Sequence, residues 1–286
     1  MTKIKKVNRR AMIIRDSGRS SDFITPSFGF GCLYKCSYCY MRRHLPNGLT
    51  IAQNTNEIID SIVRHLWLLK WPKEPNQTHD TYYTYDFSCN EDYILHAKHH
   101  DWELLFDYFK ENERAMGTAA TKYVNKHLLH YNAKRKVRIR FSVMPQHMSD
   151  LLEPGTSKII DRLKAVNDFY DAGYDVHLNY SPIIVYDNWL DDYKDLFKMV
   201  DVIVDDSIKA KVKAECIFLT HNKKLHAVNA DEVEEILWRP ELQETKVSQY
   251  GNVNIRYKRD LKRQYINSFL DLHEYHLPWQ KVRYIF

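Results

Sequence analysis

The sequence contains no apolar run near the roughly 20 residues that a membrane-spanning helix requires. Its first 20 residues are basic and lack the apolar stretch and cleavage site of a secretory signal peptide. An ordinary disulfide framework is missing too, because the cysteines number five and three of them lie within eight positions. We therefore expect a soluble, cytoplasmic protein in a reducing compartment.

Positive charge is concentrated in two segments, although the whole chain carries only +5. Residues 1–20 hold seven Lys and Arg against one Asp, and residues 246–264 hold six against one. The two segments carry +6 and +5, so the rest of the chain carries −6. This distribution suggests a polyanionic partner such as nucleic acid, and the alternative is that both segments are solvated surfaces.

Short runs of β-branched and aromatic residues alternate with helical patterns, without an internal repeat. The predicted strands are residues 22–28, 81–88, 118–123, 136–143, 175–185 and 215–220. The predicted helices lie near residues 56–70, 101–112, 124–132, 157–172 and 188–200. The helix at 157–172 has the clearest ends: a Thr/Ser cap follows Pro154-Gly155, and Gly173 suits the C′ position.

Strands that alternate with helices predict parallel βαβ units and therefore an α/β fold. Six strands are too few for a closed eight-stranded barrel but enough for an open, partial one, and a doubly wound sheet is the competitor. After residue 225 the pattern changes to a helix that stops at Pro240, a possible hairpin, a long helix and a final strand "KVRYIF". We divide the chain into a basic segment (1–25), an α/β body (26–225) and a C-terminal extension (226–286).

The segment "FGFGCLYKCSYCYMRRH", residues 28–44, places Cys32, Cys36 and Cys39 in one loop. A structural zinc site needs four ligands, commonly two Cys-x-x-Cys pairs, and this sequence has no second pair. An iron–sulfur cluster is normally held by four cysteines. A four-iron cluster on three thiols would leave one iron free for another ligand.

The spacing Cys-x3-Cys-x2-Cys, with Tyr38 before the third cysteine, resembles the signature of the radical S-adenosylmethionine superfamily. The resemblance implies a partial (β/α)6 TIM-type barrel and a [4Fe–4S] cluster held by Cys32, Cys36 and Cys39. S-adenosylmethionine would bind the free iron, with Tyr38 close to its adenine, and would yield a 5′-deoxyadenosyl radical on reduction. An electron donor such as flavodoxin or ferredoxin is implied as a partner.

Residues 138–197 resemble the corresponding stretch of spore photoproduct lyases, through "RFSV", "EPGTS" with an arginine five residues on, and "AGY". "FSCNED" (87–92) is similar to the segment with the hydrogen-donor cysteine, and "TKY" (121–123) to the segment with a ligand-binding lysine. The resemblance implies a DNA repair lyase that reverses the spore photoproduct, 5-thyminyl-5,6-dihydrothymine, to two thymines.

In the implied reaction the deoxyadenosyl radical removes a hydrogen from C6 of the lesion, and the methylene bridge breaks. Cys89 would then give a hydrogen atom to the thymine radical, and Tyr38 and Tyr40 would relay one back. Lys122 and Ser142 would bind S-adenosylmethionine. The positions are reasonable, because Cys89, Lys122 and Ser142 lie near predicted strand ends, where barrels place their active sites.

Each assignment has a structural alternative. Cys89 could be core, as we expect for Cys216 in its apolar run; Lys122 could be solvated; Ser142 could cap a strand; and Tyr40 could be packing. "HAKHHD" (96–101) could suggest a metal site, but it offers one face of a helix start and no partner.

Two departures from the lyase pattern affect the site. The lyases carry Thr-Ser-Asp-Pro after the donor cysteine, whereas this chain has Asn90-Glu91-Asp92-Tyr93. Glu91 therefore replaces a serine, and its carboxylate could pair with the ammonium of S-adenosylmethionine. Gln249 stands where the lyase hairpin has an arginine.

A lesion in duplex DNA must be turned out of the stack, which costs on the order of a few kcal/mol. The basic segment 246–264 combines a turn, Tyr250 and Tyr257, and a cluster of cations. These features suit phosphate contact with a wedge or stacking surface. We predict DNA contacts for residues Tyr250, Gly251, Arg256, Lys258 and Arg259.

Two further functions stay open on the sequence. The same radical chemistry could modify thymine bases in DNA, since the altered "NEDY" segment (90–93) leaves room for a different outcome. A zinc-stabilised nucleic-acid-binding module without catalysis is the alternative from another class.

Overall fold

A computed structural model describes residues 4–222, 224, 228–247 and 253–286. The strands of this part of the chain, β1 to β14 in order, are Ile4–Val7, Arg15–Asp16, Phe23–Ile24, Gly29–Phe30, Leu49–Ala52, Tyr83–Asp86, Ala115–Thr121, Val137–Val143, Asp175–Ile183, Ala214–Phe218, Thr220–Asn222, Gln243–Val247, Val253–Tyr257 and Val282–Ile285. The α-helices, α1 to α8, are Thr55–Trp67, Tyr93–His96, Trp102–Glu111, Gln146–Leu152, Ile159–Asp171, Trp189–Ile203, Asp231–Leu237 and Arg259–His276.

The main sheet has eight strands in the order β14-β10-β9-β8-β7-β6-β3-β2. The six strands from β3 to β10 in this sheet are parallel and lie side by side in chain order. Strand β14 extends the sheet in parallel beside β10, and β2 closes the other edge in antiparallel orientation. A doubly wound sheet reverses its strand order, so this uninterrupted order excludes that competitor and confirms the open, partial barrel.

All six predicted strands are present, and the helices at 56–70, 101–112, 157–172 and 188–200 form within a few residues of the predicted ends. The predicted α-helix at 124–132 is wrong, because this segment forms a short 3-10 helix, Lys126–His130, instead. Its N-cap, Asn125, accepts a hydrogen bond from the backbone N–H of His127, which favours a single tight turn at this point.

Helix α5 ends as the sequence predicts, with Gly173 in the left-handed conformation at φ 101°. The N–H groups of Gly173 and Tyr174 bond to the carbonyls of Tyr170 and Phe169, which is the Schellman pattern. The predicted Thr/Ser cap at the start of the helix is wrong. The N-cap is Lys158 without a side-chain hydrogen bond, since the Ser157 hydroxyl accepts from the backbone of Val124 instead.

Charged side chains fill part of the barrel. Strand β8 is buried at every position, including Arg138 and Arg140. Arg140 pairs with Glu215 at 3.0 Å and with Asp86 at 2.5 Å. Arg283, from the final strand, meets the other oxygen of Glu215 at 2.5 Å. The last strand is therefore tied to the barrel by buried charge as well as by its backbone.

Two small sheets flank the barrel. Strands β1, β5 and β4 form one of them, and the cysteine loop follows β4 directly. Strands β12 and β13 pair as an antiparallel hairpin, as predicted, and β11 joins the open side of β13. Helix α8 packs against α6. None of the helices in the described ranges combines the length and hydropathy that crossing a bilayer would demand.

Candidate active site at the carboxyl ends of the barrel strands

The cysteine loop is fixed at both ends by backbone contacts. At its start the Gly31 N–H donates to the Asn90 carbonyl at 3.1 Å. In its second half the Ser37 N–H donates to the carbonyl of Leu152, at the end of α4, at 2.8 Å. Cys36 is buried and Cys32 and Cys39 are partly buried, and none of the three forms a disulfide.

The loop closes one side of a cavity of about 250 Å³. The residues that follow or end strands β6, β7 and β8 form the facing wall. Of the residues predicted from the sequence, the cavity brings together Cys32, Cys36, Cys39, Tyr38, Tyr40, Cys89, Glu91, Lys122 and Ser142. A parallel barrel explains this convergence, because its strands all end at one face.

The three thiols lie in an environment that disfavours a free thiolate. Burial raises the pKa of Cys32 to about 12 and that of Cys36 well above its usual range, and it raises the pKa of Cys39 as well. A bound metal would reverse this, since thiols lose their proton outright on coordination. Within the described ranges, no three His, Cys, Asp or Glu side chains are arranged to hold a single metal ion. Iron–sulfur clusters distribute their thiol ligands over several irons, so the donor set suits a cluster better than one shared ion.

The Glu153 carboxylate binds several side chains at the cavity wall beside Tyr38. The Tyr38 hydroxyl donates to its Oε1, and the Lys122 ammonium lies 3.8 Å from the same oxygen. Arg162 and the Ser149 hydroxyl bind the other oxygen at 2.9 and 3.0 Å. Burial opposes the charge of Glu153, but Lys122 and Arg162 bring its pKa below the usual value.

Lys122 is therefore held at the cavity wall instead of being free in solvent, with about a fifth of its side chain exposed. Burial works against its charge, yet the neighbouring Glu153 raises the pKa of the lysine above its usual value. Its backbone N–H donates to the Asp92 carboxylate at 2.9 Å, and the Thr121 hydroxyl donates to the same carboxylate at 2.8 Å. Asp92 thus joins the segment after Cys89 to the end of β7.

Ser142 is almost fully enclosed, and its hydroxyl accepts a hydrogen bond from the Asn179 amide at 3.3 Å. Its carbonyl accepts from Arg162 at 2.7 Å. The amide oxygen of Asn179 is buried without a hydrogen-bond partner, which leaves acceptor capacity beside Ser142. Ser142 therefore adds a polar group to the cavity wall, with Asn179 behind it.

Cys89 and Tyr40 line the same cavity. The Tyr40 hydroxyl donates to the side-chain oxygen of Asn90, the residue after Cys89, at 2.6 Å. Asn90 has φ 70°, a left-handed conformation that asparagine tolerates better than most residues. Burial and Asp86 raise the pKa of Cys89, so the group is a protonated thiol at neutral pH. A protonated thiol is the form that can give a hydrogen atom.

The structure contradicts the predicted contact between Glu91 and S-adenosylmethionine. The Glu91 side chain has no exposed surface, and its Oε2 accepts from His96 at 3.0 Å and from His100 at 2.9 Å. Burial opposes its charge, while the two imidazoles lower the pKa of the carboxylate below its usual value. Only the main chain of Glu91 therefore reaches the cavity. The carboxylate lies behind it, with Oε2 bonded to both imidazoles and Oε1 buried without a hydrogen-bond partner.

The segment "HAKHHD" (96–101) has a structural role, because its histidines bind the buried Glu91 carboxylate. His96 uses Nδ1 for Glu91, and its Nε2 accepts from the Leu33 N–H, inside the cysteine loop, at 3.3 Å. The loop approaches the carboxylate closely, since a Cβ on Gly29 would lie 2.5 Å from the Glu91 carboxylate. A glycine is thus required there by lack of space, and the histidines support the loop.

The predicted DNA contacts fall into three groups. Tyr250 and Gly251, like Gln249, lie outside the described residues. Lys258 and Arg259 are exposed at the start of α8, although the Lys258 ammonium also donates to the Glu241 carbonyl at 2.9 Å. Arg256 pairs with Glu244 on the neighbouring strand at 2.9 Å.

Tyr257 is not available as a wedge or stacking surface. It is 1% exposed, and its hydroxyl accepts from the Val185 N–H at 2.8 Å. Its ring packs edge-on against Tyr265 of α8. The prediction is wrong for this tyrosine because strand alternation turns it toward the core.

Sequence reasoning missed Arg15 and the role of Glu153. Arg15 lies in the basic N-terminal segment, and only the pairing of β2 with β3 brings it to the Cys89 thiol, at 3.2 Å. Glu153 belongs to "EPGTS", where the pattern gave no reason to expect a bond to Tyr38. Cys216 is fully buried in β10, as expected.

The sequence and the fold of this chain match those of known proteins. A family model described as spore photoproduct lyase matches residues 5–286. The spore photoproduct lyase of Bacillus subtilis (strain 168) is 25% identical over 214 residues, and that of Geobacillus sp. (strain Y412MC61) is 28% identical over 193 residues. The alignments cover 73% and 66% of this chain but span 59% and 54% of the length of these relatives.

Solved structures match over nearly the whole chain. A spore photoproduct lyase complexed with dinucleoside spore photoproduct has a TM-score of 0.85 at 20% identity, covering 99% of this chain and 82% of that one. A mutant of the lyase with bound AdoMet and dinucleoside spore photoproduct has the same score at 19% identity, with the same coverage. At this level of identity the structures show a common fold.

Proposed function

We propose, because the chain belongs to the spore photoproduct lyase family, that it is a radical S-adenosylmethionine carbon–carbon lyase for DNA repair. Its substrate would be the spore photoproduct, and its products two thymines. The observation that carries the proposal is that Cys89 and Tyr40 line the same cavity as three metal-competent thiols. A hydrogen donor, a residue that can restore it and a cofactor site are thus adjacent.

The cofactors would be a [4Fe–4S] cluster on Cys32, Cys36 and Cys39 and S-adenosylmethionine in the adjoining cavity. When bound, they supply a 5′-deoxyadenosyl radical. The Lys122 ammonium suits the carboxylate of S-adenosylmethionine, and Ser142 adds a hydroxyl at the cavity wall. Tyr38 presents an aromatic ring at the same wall.

Cys89 would end the radical step on the substrate. Its S–H bond breaks, the hydrogen atom goes to the methylene radical of the thymine, and the sulfur is left as a thiyl radical. The hydroxyl of Tyr40 would then give its hydrogen atom to that sulfur and restore the thiol. The Tyr40 radical would take a hydrogen atom from Tyr38, whose hydroxyl donates to Glu153. The Tyr38 radical would take one from 5′-deoxyadenosine, so that the radical returns to the cofactor.

The DNA would be held outside the cavity by cations near the hairpin. Lys258 and Arg259 are exposed, so they are available to phosphates, whereas Arg256 would have to exchange Glu244 for a phosphate. Tyr250 and Gly251 stay predictions from the sequence. A flavodoxin- or ferredoxin-type protein in a reducing cytoplasm would supply the electron, which agrees with five free cysteines.

The test is an anaerobic assay of the cluster-loaded enzyme with S-adenosylmethionine, a reductant and the dinucleotide photoproduct. We expect thymidylyl-thymidine as product, and Cys89→Ala should divert or abolish it. Cys216→Ala is the matched control, since that thiol is buried in β10 away from the cavity, and it should retain the product. Formation of an altered thymine without bridge cleavage would instead identify a base-modifying enzyme.

A further inference from the structure

Arg15 comes to the active site from a part of the chain far from it in sequence. Its strand, β2, pairs with β3 at the edge of the main sheet, with Arg15 opposite Ile24. Met12 and Ile14 pack against the hydrophobic core just before it. The position of the backbone at Arg15 is thus set by a strand pair and by apolar anchors.

The guanidinium of Arg15 borders the donor thiol. Its Nη2 donates to the Sγ atom of Cys89 at 3.2 Å, and the side chain is exposed. Within the described ranges, no carboxylate lies within salt-bridge distance of it. Asp86, the acid that acts on Cys89 from the barrel side, is paired with Arg140 at 2.5 Å. Sulfur is a weak acceptor, so most of the five donors of Arg15 stay available.

The chemistry of Cys89 fixes where the substrate must come. A hydrogen atom passes only between atoms in contact, so the reacting thymine carbon must reach the Sγ atom of Cys89. The guanidinium that touches Sγ then lies within one further contact of the lesion. The anion closest to the linked bases of a dithymidine lesion is the phosphodiester between its two nucleosides.

We infer that Arg15 binds the phosphodiester of the dithymidine lesion and so holds the substrate against Cys89. The inference rests on the proposed function for the identity of the substrate. A planar guanidinium can hold two phosphate oxygens at once, which a single ammonium cannot do. Lys122, which lines the cavity, already faces Glu153. Arg15 is exposed and touches the Cys89 thiol, so its guanidinium is available to the polymer at the point of reaction.

The experiment compares two ligands that differ only in this phosphate. Dinucleotide and dinucleoside spore photoproduct are titrated into the cluster-loaded protein by calorimetry, with S-adenosylmethionine present and no reductant, so that no turnover occurs. The variants are Arg15→Met, Arg15→Lys and the control Arg10→Met, an exposed arginine of the same segment. Since Arg15 is exposed, its replacement should leave folding unchanged, which thermal unfolding checks.

We expect Arg15→Met to weaken dinucleotide binding about 10- to 100-fold, as loss of charge-assisted hydrogen bonds would. Dinucleoside binding should change less than twofold, Arg15→Lys should recover part of the affinity, and Arg10→Met should match the wild type. An equal loss for both ligands would overturn the inference and leave Arg15 as a residue that only orients the thiol. The proposed function fails separately, if the wild type binds the photoproduct but does not cleave it.

Discussion

Two buried carboxylates hold opposite halves of the cysteine loop, and they do so with different partners. Glu91 binds two imidazoles, and one of these, His96, accepts from the Leu33 N–H in the first half of the loop. Glu153 binds the Tyr38 hydroxyl in the second half. Its other partners, Arg162 and Lys122, are full cations.

The two carboxylates therefore differ in role: Glu91 supports the loop from behind, whereas Glu153 contacts residues of the cavity wall. None of the imidazole partners of Glu91 lines the cavity, whereas Tyr38 and Lys122, the partners of Glu153, both do. Glu91 is only two residues from Cys89 in sequence, and Glu153 is more than sixty away. A carboxylate that is close to Cys89 in sequence therefore need not belong to the cavity. The side chains that pack against the carboxylate in the fold decide whether it does.

The largest effect should come from removing Glu153. Glu153→Ala leaves the fully buried Arg162 without its carboxylate, and breaking such a pair costs about 3–5 kcal/mol of unfolding free energy. Urea denaturation measures it. The control is Asp150→Ala, which breaks the exposed pair with Lys158 and should cost far less. If both variants lost a similar unfolding free energy, the buried carboxylate of Glu153 would contribute no more to stability than the exposed one of Asp150.

S-adenosylmethionine binding should next distinguish Glu91 from Lys122, a partner of Glu153. Glu91→Gln keeps an oxygen for both imidazoles and touches nothing in the cavity, so we expect less than a twofold change in affinity. Lys122→Met should weaken binding roughly tenfold or more, through loss of a charge-assisted bond. Equilibrium dialysis with cluster-loaded protein measures both. A tenfold loss in a stable Glu91→Gln variant would return Glu91 to the ligand site.

Acid should destabilise the fold through both carboxylates. Each has a pKa below 4.5 in the folded protein, so the folded state favours the ionised form. The resulting stabilisation is present above about pH 4.5 and is lost as the pH falls through the folded pKa. We expect Glu91→Gln and Glu153→Gln each to flatten the acid limb of unfolding free energy against pH. The exposed Glu103→Gln is the control, and unchanged slopes in the first two variants would refute the effect.

The smallest effect is local. His96→Leu removes the acceptor of the Leu33 N–H and one of the two donors to the Glu91 carboxylate, a loss of about 1 kcal/mol for each hydrogen bond. Hydrogen exchange should become faster at Leu33, while the Ser37 amide, bonded to the Leu152 carbonyl, stays protected. Faster exchange at both amides would mean that the two halves of the loop are not held independently.

Much of the fold follows from local pattern. The six strands and the end of α5 at Gly173 could be predicted because alternation, helical periodicity and left-handed glycine act over a few residues. The 3-10 helix at Lys126–His130 could not, since side-chain-to-backbone bonds of Asn125 override weak helical periodicity. Tyr257 was misjudged because burial depends on which face of β13 meets α8.

The candidate site divides in the same way. The cysteine spacing and the strand-end positions of Cys89, Lys122 and Ser142 are visible in the sequence, and the cavity brings these residues together. The carboxylate of Glu91 is the failure, because the sequence shows a charge but not the two histidines that enclose it. Arg15 is the omission, since no local pattern connects β2 with the end of β6.

The sequence by itself determined the candidate cluster ligands and the alternation of strands with helices, because ligand spacing within one loop and hydrophobic periodicity are local properties. Only the tertiary structure decided which charges face the reaction. Buried ionic groups must be compensated by partners, and those of Glu91 and Glu153 lie 4 to 115 residues away in sequence. A charge in a sequence therefore acquires its role only when the fold supplies its partner.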